Sequence, residues 1–169
     1  MSDPRPPTPL AQTRRFAVMR RVVGASNPLM RRLLDSRFAG PMGRNLLVLE
    51  FRGRRSGGTF RTPVGYVRRG GRVVLVTSPA YRWWHNLVGG ADVRVRLPEG
   101  WRAGRGEVVT PADPRYDEIL ALQVARRGPG MLRGFGLPVD DGGRLPAEAR
   151  ASATEHAHLV LVTLADGPA

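Results

Sequence analysis

The sequence predicts a mainly β fold of α+β class: a small antiparallel barrel of about six strands, with N-terminal and flanking helices. Six short strand-like runs lie between residues 45 and 164, separated by Gly, Pro and Asp turn signals. One of them, DVRVRL (92–97), sets Val93, Val95 and Leu97 against Arg94 and Arg96, the period of two of a half-buried strand. The length of 169 residues suits one domain with a sizeable core, expected over residues 13–169.

Residues 1–12 hold Pro4, Pro6, Pro7 and Pro9 and read as a disordered lead-in without the apolar core of a secretory signal. Residues 11–23 space Phe16, Met19, Val22 and Val23 for a basic amphipathic helix. Asn27-Pro28 interrupts it, and Leu29, Met30, Leu33 and Leu34 give a second short helix. These helices either pack on the domain or make a peripheral membrane contact. NLLVLEF (45–51) starts the strands. TPVGYVRR and RVVLVTS, joined by Gly70-Gly71, form a hairpin. WRAGRGEVVT (101–110) pairs back on DVRVRL after Pro98-Glu99-Gly100, and HLVLVTL (158–164) is a late strand.

Between them, Asp113 is the candidate N-cap of a helix with Pro114 in its first position. Tyr116, Ile119 and Leu120 form its buried side, joined by Leu122 or Val124. Gly128-Pro129-Gly130 ends it. The Gly-, Pro- and Ala-rich stretch 128–155 reads as a mobile lid or as a plain connection with a helix at 146–153.

The formal net charge is +13, and all 27 basic residues are arginines. Without lysine there is no Schiff-base chemistry, and without cysteine no disulfide, thiolate or cysteine-zinc site. No apolar run approaches the roughly 20 residues that span a bilayer. With no cysteine in the chain, a cytoplasmic protein is expected. The charge calls for an anionic partner, or is a solvated basic surface. A nucleic-acid-binding barrel needs aromatics among the arginines of exposed strands. The aromatics cluster at 81–84 instead, so no specific nucleic acid is expected.

Two stretches hold candidate chemistry. In GRRSGGTFR (53–61), glycines free backbone N–H groups to face a ligand, arginines add charged donors, and Ser56 adds a hydroxyl. The combination suits a phosphate; the alternative is a solvated hairpin tip. In YRWWHNL (81–87), one tryptophan is available to the core while the other faces a cavity, and Asn86 brings donor and acceptor groups. The alternative is core packing with Asn86 capping a turn. His85 is a wall or surface residue of this motif. His156 and His158 would share a strand face, but no third ligand accompanies them and no metal is expected.

GRRSGGTFRTPVGYV followed by WWHNL, and then DVRV, resembles the deazaflavin (F420)-dependent nitroreductase family of split β-barrel oxidoreductases. The resemblance covers about residues 40–125 and, more loosely, the last strand. It implies that Arg54, Arg55, Ser56 and Gly57 hold the phosphate of coenzyme F420, with Arg61 near the same anionic part or the tail. It implies that Pro63 and Val64 run along the coenzyme with their backbone, and that Trp83 and Asn86 frame the deazaflavin pocket. The implied activity is hydride transfer from reduced F420 to a small electron-poor acceptor: a quinone, an activated alkene or a nitroaromatic. Ser78, Tyr66 and Tyr81 are candidate proton donors. Flavin mononucleotide (FMN) is the alternative cofactor, and a homodimer is a further expectation. Only Pro79-Ala80-Tyr81-Arg82 precedes Trp83, where many members have a longer segment with lysine. That departure motivates the alternative of a non-catalytic split-barrel binding protein for a lipid or flavin-type ligand.

Overall fold

The computed structural model describes residues 46–165. The lead-in and both N-terminal helices expected from the sequence lie outside them. Strands β1 (Leu46–Arg52), β2 (Thr59–Arg69), β3 (Arg72–Thr77), β4 (Ala91–Leu97), β5 (Gly100–Val109) and β6 (His158–Leu164) close into an antiparallel barrel of order β1-β2-β3-β6-β5-β4. A 3-10 helix, Trp83–Leu87, follows β3. Helices α1 (Tyr116–Arg127), α2 (Pro129–Phe135), α3 (Ala147–Arg150) and α4 (Ala153–His156) lie between β5 and β6.

Residue patterning decides where each strand sits. The barrel interior takes alternate residues: Leu47, Leu49 and Phe51 of β1, Val93, Val95 and Leu97 of β4, and Val160, Val162 and Leu164 of β6. β4 alternates because its outer face, with Arg94 and Arg96, is solvated. β3 and β6 are apolar on both faces because helices cover their outer side. Val74, Leu159 and Leu161 there meet Tyr116, Ile119, Leu120 and Val124 of α1. Burying a side chain of this size contributes about 1.5–3 kcal/mol, so the second core is as much a part of the fold as the first. Gln123 enters it buried, its Nε2 donating to the Val74 carbonyl at 3.3 Å.

The 128–155 stretch is the plain connection. Leu132, Leu137, Val139 and Leu145 are buried in the outer core. Arg150 ties α3 to Asp117 at 2.6 Å and to the Pro111 carbonyl at 2.9 Å. The expected helix at 146–153 is two short ones, α3 and α4. The expected histidine pair does not form: His156 ends α4, whereas His158 begins β6.

The helix start is also corrected. α1 begins at Tyr116, with Arg115 at the cap position. Asp113 spends its acceptor on the turn before the helix: Oδ1 takes the Arg115 N–H at 2.8 Å. An Asp favours that local bond two residues on. Its carboxylate also binds the Arg115 guanidinium at 2.6 Å, and Arg115 reaches Glu107 at 2.7 Å. Arg115, through its side-chain and then its backbone hydrogen bonds, holds the Asp113 carboxyl at about 2 against an ordinary 3.8. A depressed carboxyl contributes stability above its unfolded value and loses it as pH falls through the folded one. The thermal midpoint of Asp113→Asn should therefore depend less on pH than the wild type between about pH 4 and 2. Equal slopes in an acid melting series would show that the pair carries none of the acid sensitivity.

Candidate active site

β1 and β2 are joined by the 53–58 loop, which folds back on itself. Gly53 N–H donates to the Gly58 carbonyl and Gly57 N–H to the Gly53 carbonyl, each at 2.8 Å. Gly58 N–H donates to Ser56 Oγ at 3.3 Å. Gly57 has φ of 65°, a left-handed conformation that a side chain would strain. The three glycine amides are thus used up in shaping the loop. The amides of Arg55 and Ser56 have no such partner among the described residues. Two successive open N–H groups beside a hydroxyl and arginine side chains are an anion-binding arrangement.

The second stretch lies against the first. Asn86, on the 3-10 helix, accepts the Arg54 N–H at its Oδ1 at 3.0 Å. Its Nδ2 donates to the Trp83 carbonyl, also at 3.0 Å. One amide side chain therefore clamps the two motifs together. Between them lies a cavity of about 700 Å³. Phe51 and Phe60 stack along it with centroids 5.9 Å apart, and Trp83 is tilted against Phe51 at 6.4 Å. Phe60 is 48% exposed, a large apolar surface that its place on the cavity wall explains. Arg54, Arg55, Arg61 and Arg82 border the cavity, and none of its lining residues is a carboxylate. Arg61 is held at the rim by Glu50 at 2.7 Å and lies over the Trp101 ring at 5.2 Å.

An anion cradle beside a flat aromatic wall suits a phosphate-bearing ring cofactor. A family model for F420H(2)-dependent quinone reductase matches residues 28–129, more than half of the chain.

The chain belongs to that family.

The reductase is accordingly a deazaflavin-dependent oxidoreductase, and its coenzyme is F420. No curated protein matches it. Among solved structures, it is similar to the heme storage protein HutZ from Vibrio cholerae at 12% identity and a TM-score of 0.48, over 83% of this chain and 91% of that one. An FAD- and heme-binding protein from Mycobacterium smegmatis matches at 16% identity and 0.42, over 84% and 72%. An F420 reductase matches at 14% and 0.38, over 72% and 87%. All three are likenesses of fold alone.

In the reductase, Arg54, Arg55, Ser56, Arg61, Trp83, Asn86 and Tyr81 all border the cavity. Gly57 shapes the loop without lining it. Val64 points into the barrel core, and Pro63 pairs with Val48 on the next position along β2. Neither side chain lines the cavity. Of the other two proton-donor candidates, Ser78 is buried and accepts the Ala80 N–H at 3.2 Å, and Tyr66 packs against the barrel core. Neither borders the cavity. Phe51 and Phe60 escaped the sequence reading. Their signal was present in FRGRRSGGTF, where a phenylalanine stands at each end of the loop and hairpin register pairs the two.

Proposed function

We propose that the reductase passes a hydride from reduced F420 to an electron-poor acceptor, with a quinone as the first candidate and activated alkenes or nitroaromatics as the others. The observation that carries this reading is the pairing, in one carboxylate-free cavity, of an open-amide anion cradle with an aromatic wall. When bound there, the reduced coenzyme supplies the hydride. The chain supplies position and surroundings. Arg55, Ser56 and their two amides bind the phosphate, and Arg54, Arg61 and Arg82 complement the remaining negative charge. Phe51, Phe60 and Trp83 offer an apolar face to a flat ring and keep water from it. Asn86 fixes the spacing of cradle and wall, which decides how a bound ring meets the acceptor.

Arg55→Ala and Ser56→Ala should each weaken F420 binding about 10- to 100-fold, the loss of one charge-assisted hydrogen bond of about 1.5–3 kcal/mol. Both side chains are exposed, so the melting temperature should hardly move. Unchanged affinity in both variants would remove the phosphate assignment. The acceptor is tested by steady-state turnover of the reduced coenzyme with a naphthoquinone, a cyclic enone and a nitroimidazole. The expected order of kcat/KM puts the quinone first. A nitroimidazole turned over faster would displace it, and coenzyme binding without any turnover would favour a binding protein. A cytoplasmic location, membrane contact by the N-terminal segment and pairing of two copies belong to the same proposal. Among the described residues, no helix is long and apolar enough to cross a membrane.

A further inference from the structure

Among the groups on the cavity wall that the binding scheme leaves unused, beside Tyr81 and Thr62, is an imidazole. His85 is exposed and lines the cavity. Its ring stacks on Trp84, with centroids 3.7 Å apart and planes at 21°. On Trp84 a second imidazole, that of His158, also lies 3.7 Å away, at 34°. The indole Nε1 of Trp84 is buried and has no hydrogen-bond partner among the described residues. Ring contacts, not a polar bond, therefore set the position of the indole.

The three rings differ in their surroundings. His158 opens β6 opposite Thr77 and is partly buried. Burial, and then the neighbouring His85, lower its pKa from the ordinary 6.5. It backs the stack as a neutral ring. His85 meets solvent and cavity. Facing the same space are Arg54 and Arg55 from the β1–β2 loop, Arg61 from β2, and Tyr81 and Arg82 before the 3-10 helix, while His158 of β6 lies against Trp84. The arginines give this space a positive charge that a bound anionic coenzyme offsets.

Resting on the reductase reading above, we propose that His85 is the proton donor to the reduced acceptor, with Trp84 and His158 as the positioning residues that hold its ring at the cavity wall. Hydride addition to a quinone leaves a hydroquinone monoanion that needs one proton. The imidazolium N–H bond of His85 breaks, an O–H bond forms on the acceptor, and the neutral imidazole regains its proton from solvent. Imidazole is the side chain suited to that exchange near neutral pH.

The test pairs kinetics with coenzyme binding. A required acid makes kcat fall as pH rises through its titration. His85→Gln should lose that limb and lower the plateau about 100-fold, with coenzyme affinity changed less than about threefold. Trp84→Leu, which keeps His85 but removes the ring that holds it, should lower kcat about tenfold with coenzyme affinity changed less than about threefold. If Trp84→Leu does not fold, Trp84→Phe should show a smaller loss of kcat. Normal coenzyme binding with the wild-type pH profile retained in His85→Gln overturns the donor role alone. An unchanged kcat in a folded Trp84 variant overturns the stack as its support. A wild-type protein that binds no F420 overturns the reductase reading and the donor with it.

Discussion

Asn86→Ala is expected to lower F420 affinity by at least about tenfold while the barrel stays folded. Asn86 makes two hydrogen bonds, one to the Arg54 amide and one to the Trp83 carbonyl. Neither contributes much to global stability, about 1 kcal/mol each, and water can replace the bond to the exposed Arg54 amide. Their effect on the site is larger. The Arg54 amide immediately precedes the two open amides of Arg55 and Ser56, so the Asn86 bond fixes the direction in which the cradle faces. The Trp83 bond fixes the 3-10 helix that brings the aromatic wall. Without the clamp, coenzyme binding has to order the loop as well as fill the cavity, and that entropy is drawn from the affinity. Isothermal titration of wild type and variant, with melting curves on both, checks this. A loss of stability with unchanged affinity would make Asn86 a structural cap and nothing more.

Gly104→Val is expected to cost about 3 kcal/mol, a fall in melting temperature of roughly 10 °C for a chain of this size. Gly104 of β5 pairs with Leu164 of β6. A Cβ there would lie 2.6 Å from the Thr163 carbonyl oxygen and 3.2 Å from the Leu164 Cα. Both are backbone atoms of the neighbouring strand and cannot turn aside as a flexible side chain can. The clash falls where β5 and β6 hold the barrel closed. Gly71→Ala is the control: its Cβ meets nothing within 4 Å, so it should be neutral or gain up to about 0.5 kcal/mol. If thermal melts place the two variants together, the close approach of β5 and β6 is not what requires glycine at 104.

The strands were legible because their side-chain periods report burial. DVRVRL alternates and has one wet face. RVVLVTS and HLVLVTL do not alternate, and they are the strands covered on both sides. The helix start was less legible, since an Asp before a Pro serves a turn as readily as a cap. The 128–155 stretch could not be assigned by composition, because only the tertiary packing of Leu132, Leu137 and Val139 separates a connection from a lid. For the site, sequence named both stretches but not the way they meet. That Asn86 joins them, and that the glycine amides are consumed within the loop, are properties of folded geometry. The His85–Trp84–His158 stack depends on β6 returning beside the 3-10 helix, a contact that no local pattern announces.

In the proposed site, the loop at 53–58 and the wall at 81–87 together take one F420 molecule. The most direct measurement is a fluorescence titration of the purified protein with oxidised F420, with FMN run in parallel. Saturable binding of F420, much tighter than that of FMN and weakened by Ser56→Ala, is the predicted result. A folded protein that leaves F420 fluorescence unchanged, or that binds FMN equally well, would contradict it.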